Sequence, residues 1–207
     1  MKLPLILLSL LLSLAANSQP LSVLVLDSQG EPFEGAVVEL QHPDAKQSNE
    51  LPQAAMDQIN KQFAPYLLVV EQDTPVVFPN SDSIKHHVFS FSAAKRFQLK
   101  LYKDRQPEPL IFDNPGVVAL GCNIHDWMVG YIYVAQSSLY LESDKAGLTH
   151  FDVTPRQYQL RVWHPRFNRV DAERRLTLTT NTNQVTFTLT EPLHPMLDDQ
   201  ADEFESY

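Results

Sequence analysis

Pro115-Gly116-Val117-Val118-Ala119-Leu120-Gly121-Cys122-Asn123-Ile124-His125-Asp126-Trp127-Met128 is the stretch from which the rest of the chain is read. A Pro-Gly turn opens it and a β-branched run follows, which reads as a strand, Val117 to Leu120. Then come the only cysteine of the 207 residues, a histidine three positions on, and a methionine three beyond that. Thiolate, imidazole and thioether together select copper over harder cations. A trigonal His₂Cys set with a weak axial Met needs one more imidazole. Asn80-Ser81-Asp82-Ser83-Ile84-Lys85-His86-His87-Val88-Phe89 offers it upstream. Neighbours on a strand point to opposite faces, so only one of His86 and His87 can reach the metal. Alternation groups His87 with Phe89 and Phe91, a core-facing side with His87 at its rim. It groups His86 with Val88 and Ser90, and the pattern leaves both histidines open.

Outward from this stretch the chain reads as all-β, in short alternating or β-branched runs punctuated by Pro, Gly, Asn and Asp. Expected strands are Leu21–Leu26, Ala36–Leu40, Tyr66–Val70, Val76–Phe78, His87–Ser92, Phe97–Tyr102, Val129–Val134, Tyr140–Ser143, Leu148–Asp152, Tyr158–Trp163 and Val185–Leu189. Pro79 to Lys85 and Cys122 to Met128 read as loops, and His42 to about Gln53 as a polar linker. Met56 to Gln62 is the one short helical candidate. Trp127 can shield a metal from water, offer an aromatic to a partner, or fill the core. His42, His150, His164 and His194 have no companions at ligand spacing and read as surface or turn histidines.

Composition bounds the rest. With 43% hydrophobic residues the chain can bury an ordinary core. The formal charge is −9, with no basic run of the kind that binds nucleic acid. Residues 1–18 hold Lys2, an apolar run from Leu3 to Leu14 and a small-x-small site at Ala16-Asn17-Ser18, which reads as a secretory signal peptide cleaved near Gln19. The mature protein is therefore expected to be exported, to a periplasm or its equivalent, with no stable membrane insertion. There a lone thiol is expected to be buried or occupied by a metal. Residues 191–207 hold six acids and read as a disordered tail. Haem-attachment, phosphate-loop and nucleophile-elbow motifs are missing.

The three metal-side motifs resemble the cupredoxins, type 1 blue copper proteins, and most the plastocyanin and amicyanin group. Asn80-x-Asp82-x₃-His86-x-Val88 resembles that family's lead-in to the first ligand. Pro115 to Cys122 resembles the strand before its cysteine, and Cys122-x₂-His125-x₂-Met128 its short ligand loop. Proteins of this sort are often labelled methylamine utilisation proteins. The resemblance spans roughly residues 53–135 and implies a Greek-key β-sandwich with one copper ion held by His86, Cys122, His125 and Met128. The family register favours His86, and His87 stays its rival. Leu120 and Asp126 depart from the family pattern.

The flanks, Val23–Val38 and Ser143–Pro165, resemble a carboxypeptidase regulatory-like, transthyretin-like sandwich of immunoglobulin-like layout. The implied organisation is residues 19–50 and 137–190 as one split sandwich, with a cupredoxin domain at 51–136 set within it. The function implied is single-electron transfer between periplasmic redox partners, with no net substrate chemistry. The alternatives are a periplasmic copper carrier or storage protein, and a docking or carbohydrate-binding-like module in which the metal is incidental.

Overall fold

The computed structural model describes residues 18–44, 48–167, 172–179 and 181–195. The expected signal peptide and most of the acidic tail lie outside them. Among the described residues every regular element is a strand, and no helix is long and apolar enough to cross a membrane.

The strands run β1 (Gln19–Leu26), β2 (Val37–Gln41), β3 (Ala54–Ala55), β4 (Asp57–Ile59), β5 (Gln62–Ala64), β6 (Leu67–Glu71), β7 (Thr74–Val77), β8 (His86–Ser90), β9 (Phe97–Tyr102), β10 (Leu110–Phe112), β11 (Gly116–Cys122), β12 (His125–Ala135), β13 (Tyr140–Glu142), β14 (Leu148–Val153), β15 (Gln157–Trp163), β16 (Ala172–Thr177) and β17 (Gln184–Thr188). Most expected strands are present within a residue or two.

Two expected elements differ. Met56 to Gln62 is a β-hairpin, with β4 and β5 paired about a turn in which Asn60 and Lys61 both have positive φ (54° and 59°). That conformation is disfavoured for residues with a Cβ, and it is held by a carboxylate from elsewhere: Asp82 accepts the Asn60 and Lys61 N–H groups at 2.7 and 2.8 Å. The Cys122–Met128 segment is not a loop either. Cys122 ends β11, His125 opens β12, and only Asn123 and Ile124 turn between them.

The sheets separate by sequence. The order β14-β1-β17 forms one sheet and β13-β2-β15-β16 another, all from strands before residue 42 or after residue 139. Alternation drives Leu21, Val23 and Val25 inward from β1, where they meet Val38 and Leu40 of β2, Leu160 and Val162 of β15, and Phe187 of β17 in one core. The five-stranded sheet β6-β12-β11-β8-β9 and the smaller β10-β7-β3 use only strands between residues 54 and 135. They share a second core of Val76, Val88, Phe112, Val118, Ile132 and others. The chain leaves the first pair of sheets after β2 and returns at β13, and β2 and β13 are antiparallel neighbours.

The two cores are joined by a smaller cluster. Val37 and Trp163 from one side meet Tyr133 and Ala135 from the other, with Leu67, Val69, Val117, Tyr131 and Tyr140 against them. Within this junction Glu39 is fully buried. Its carboxylate accepts Tyr133 Oη–H at 2.8 Å, Gln136 N–H at 2.7 Å, Ser137 N–H at 3.0 Å and the Gln41 side-chain amide at 3.0 Å. A buried carboxyl group is tolerated where its lone pairs are filled in this way.

Candidate metal centre

β8 and β11 lie side by side, and Val88 is the register partner of Cys122. Cys122 is also the register partner of His125 across the two-residue turn. This pairing brings three side chains to one point. Cys122 Sγ lies 3.7 Å from His86 Nδ1 and 3.6 Å from His125 Nδ1. The three candidate ligand atoms all fall within 4.8 Å of one another.

These separations suit a shared metal ion. A first-row ion bonded to thiolate at ~2.3 Å and to imidazole at ~2.0 Å, with about 120° between the bonds, holds S and N about 3.7 Å apart. Two neutral imidazole lone pairs and a thiolate are the donors such an ion needs.

His86 and His87 part as alternation requires. His86, Val88 and Ser90 are buried, while His87, Phe89 and Phe91 face outward. The aromatic side of β8 is thus the outer one, the reverse of the core-facing reading. His87 Nε2 lies 2.7 Å from Gln98 Nε2, away from the sulfur. His86 carries the ring that faces Cys122.

Two residues of the same lead-in have positioning roles that spacing alone did not reveal. Asn80 donates its side-chain amide to Ile84 O and Tyr102 O, and its own carbonyl accepts the Asp82 N–H, which closes the loop before β8. Asp82 Oδ2 lies 2.7 Å from His86 Nε2. Burial pushes the Asp82 carboxyl up, but hydrogen bonds from the Lys61 N–H, His86 and the Asn60 N–H outweigh it and hold the group below its ordinary value. An ionised Asp82 accepts a hydrogen bond from His86 Nε2–H, so the lone pair of that ring sits on Nδ1, facing the sulfur.

His125 is held below the ordinary histidine range, first by burial and then by its electrostatic interactions with His86 and Lys61, which outweigh that with Asp82. It is therefore poised to present a neutral ring near pH 7. It is half-buried, and Trp127 packs beside it with ring centroids 5.5 Å apart. Met128 is buried and lies in the core cluster that includes Cys122. Behind the site, Tyr102 Oη donates to Phe78 O and accepts from Gln58 Nε2. Burial, with the charges of Asp57 and Cys122 adding to it, pushes that phenol up to about 12.

The other histidines stand apart from this cluster. His42 packs on Tyr158, His150 Nδ1 meets Ser22 Oγ at 2.9 Å, and His164 lies edge-on to Phe33.

No known protein family and no curated protein matches the sequence. Among solved structures, the neighbours include amicyanins, which are cupredoxins, and a copper enzyme. An oxidised amicyanin variant shares 17% identity over 47% of this chain and 97% of its own, at a TM-score of 0.37. A reduced amicyanin variant shares 20% over the same fractions, 47% and 97%, at 0.36. A copper-containing nitrite reductase from Thermus scotoductus shares 20% over 54% of this chain and 28% of its own, at 0.39. Likeness at this level is partial and carries nothing about activity.

Proposed function

We propose that the protein is an exported single-electron carrier with one type 1 copper ion bound by His86, Cys122 and His125, with Met128 as the weak axial donor. The observation that carries this reading is the sulfur of the chain's one cysteine flanked by two imidazole Nδ1 atoms at 3.7 and 3.6 Å. Bound there, copper supplies a one-electron couple between Cu(I) and Cu(II).

The protein's own contribution is to keep the donors in place through that change. β11 and β12 fix Cys122 and His125 across a two-residue turn, and Asp82 fixes the ring of His86. Complete burial of His86 keeps water from one side of the site. The half-buried His125 marks the side from which an electron can pass. No substrate is transformed, and the partners are other redox proteins.

We place the site in a domain of residues 51–136, inserted in a split sandwich of 19–50 and 137–190. The adjacency of β2 and β13 supports this, because an insertion is tolerated where its two ends lie close together. Export rests on the signal-like residues 1–18.

Adding Cu(II) to the purified mature protein tests the reading. The expected result is an intense blue colour and an EPR spectrum with narrow copper hyperfine splitting, both lost in Cys122→Ser. A colourless copper-loaded protein defeats it. Copper that leaves on each reduction cycle identifies a metal carrier instead, an outcome that the burial of His86 and Cys122 opposes.

A further inference from the structure

The hairpin beside the site carries a charge opposite to that of the protein. Between Ser83 and Lys103 the chain has five basic residues, Lys85, Lys95, Arg96, Lys100 and Lys103, and no acidic one. The remainder holds 11 basic residues against 25 acidic ones. β9 is the edge strand of the five-stranded sheet, and Gln98, the register partner of Phe89, is flanked on the same face by Arg96 and Lys100. Lys95 is paired with Asp113 at 2.8 Å. Lys85, Arg96 and Lys100 are exposed and have no ion-pair partner among the described residues.

The same face is apolar beside these cations. Phe91 is 76% exposed, and its ring lies 5.2 Å from that of Phe89. Phe89 in turn covers Gly121 so closely that a Cβ there would lie 2.8 Å from the ring. Gly121 is bonded to Cys122, so this surface lies one residue from the sulfur. Further along the sheet the outward Tyr131, Tyr133 and Val117 are covered by Trp163 and Val37. The apolar strip is thus continuous with an interface the protein already makes, and its uncovered end lies beside the cations.

We propose that the outer face of the β8–β9 hairpin, Phe89 and Phe91 flanked by Arg96 and Lys100, docks the acidic surface of a redox partner. This rests on the electron-carrier reading above. The net charge of −9 by itself predicts the opposite, a preference for basic partners. A local patch can override the net charge at contact range, because salt screens the more distant acids over ~8 Å at physiological ionic strength.

The test is the oxidation of the reduced, copper-loaded protein by hexacyanoferrate(III) at rising salt. One electron leaves the protein, Cu(I) becomes Cu(II) and Fe(III) becomes Fe(II). The expected result is a second-order rate constant that falls at least threefold from low to high salt, with the trend inverted in Arg96→Glu/Lys100→Glu. A rate that rises with salt in the native protein overturns the proposal. A second measurement needs no copper: NMR titration of the metal-free protein with redox-inert hexacyanocobaltate(III). Shifts centred on Phe91, Arg96 and Lys100 support the surface, and no shifts or shifts elsewhere overturn it. Concentration-dependent dimerisation abolished by the double variant also overturns it, since the occupant is then a second copy. A protein that stays colourless with copper but passes the titration refutes the electron-carrier reading and leaves the anion-binding surface standing.

Discussion

His86 Nε2 and Asp82 Oδ2 are 2.7 Å apart, and the same carboxylate also holds the Asn60–Lys61 turn. Asp82 therefore couples the tautomer of a candidate ligand to the placement of a hairpin. In Asp82→Asn the amide must turn its NH₂ either to His86 Nε2–H and the backbone N–H of Lys61 or to the backbone N–H of Asn60. One donor then faces another, and the His86 proton is free to move to Nδ1, against the sulfur. Copper affinity is expected to fall about 10–100-fold, as for other partners of a metal-bound histidine. Chelator competition measures it, and ¹⁵N NMR of the metal-free variant reads the tautomer directly. Asp82→Glu should restore part of the affinity, and unchanged affinity and tautomer in Asp82→Asn would remove Asp82 from the design.

Gly130 sits on β12 directly beneath Phe63 of β5. A Cβ on Gly130 would lie 2.7 Å from the Cβ of Phe63, an atom fixed to its own backbone. Gly130→Ala must push the β4–β5 hairpin outward, at a cost of about 1–3 kcal/mol for overpacking. The hairpin turn is bound by Asp82, so the shift reaches the His86 side of the site. Denaturant unfolding should show the loss of stability. If Gly130→Ala matches the native protein in both stability and copper affinity, the hairpin is not held this way.

What the sequence made legible was the chemistry that local spacing carries. Cys122, His125 and Met128 fall within seven residues of chain, and the strand periods around them are short and plain. What it hid depends on contacts made at a distance. The Asn60–Lys61 turn has no glycine to signal it, because Asp82 from another segment stabilises the positive φ values. The side of β8 facing the core was also misleading. Phe89 and Phe91 read as core residues, yet they lie outside because Gly121 opens a place for Phe89 on the outer face of the sheet. The role of Asp82 could have been suspected from its position four residues before His86, a distance a loop can close.

Glu39 links the two cores through four donors, two to each carboxylate oxygen. Oε1 accepts only fixed backbone N–H groups, whereas Oε2 accepts a tyrosine hydroxyl and a glutamine amide, both able to reverse. Glu39→Gln should therefore be mild, about 1 kcal/mol, with the new NH₂ placed where Oε2 was. Glu39→Ala strands the Gln136 and Ser137 N–H groups, and should cost about 3 kcal/mol or more. Chemical denaturation followed by Trp163 fluorescence separates the two. Equal losses in both variants would mean that the carboxylate charge, rather than its acceptor geometry, holds the junction.

His164 gives the protein a pH dependence far from the metal. Burial, with the Arg166 charge adding to it, holds its pKa down at about 4. The Arg166 N–H donates to His164 Nδ1 at 3.1 Å, a bond that requires a lone pair on that nitrogen. The unfolded chain takes up a proton near pH 6.5, well before the folded one does. Stability is therefore full above about pH 6.5 and declines as pH falls towards about 4, by on the order of 3 kcal/mol. His125, also depressed, adds to the slope of the metal-free protein, so the informative quantity is the difference between variants. His164→Phe should keep the contact with Phe33 and flatten that part of the slope between about pH 6.5 and 4.5. Urea unfolding at stepped pH measures it, and parallel curves for the two proteins would show that the His164 ring is protonated as readily folded as unfolded.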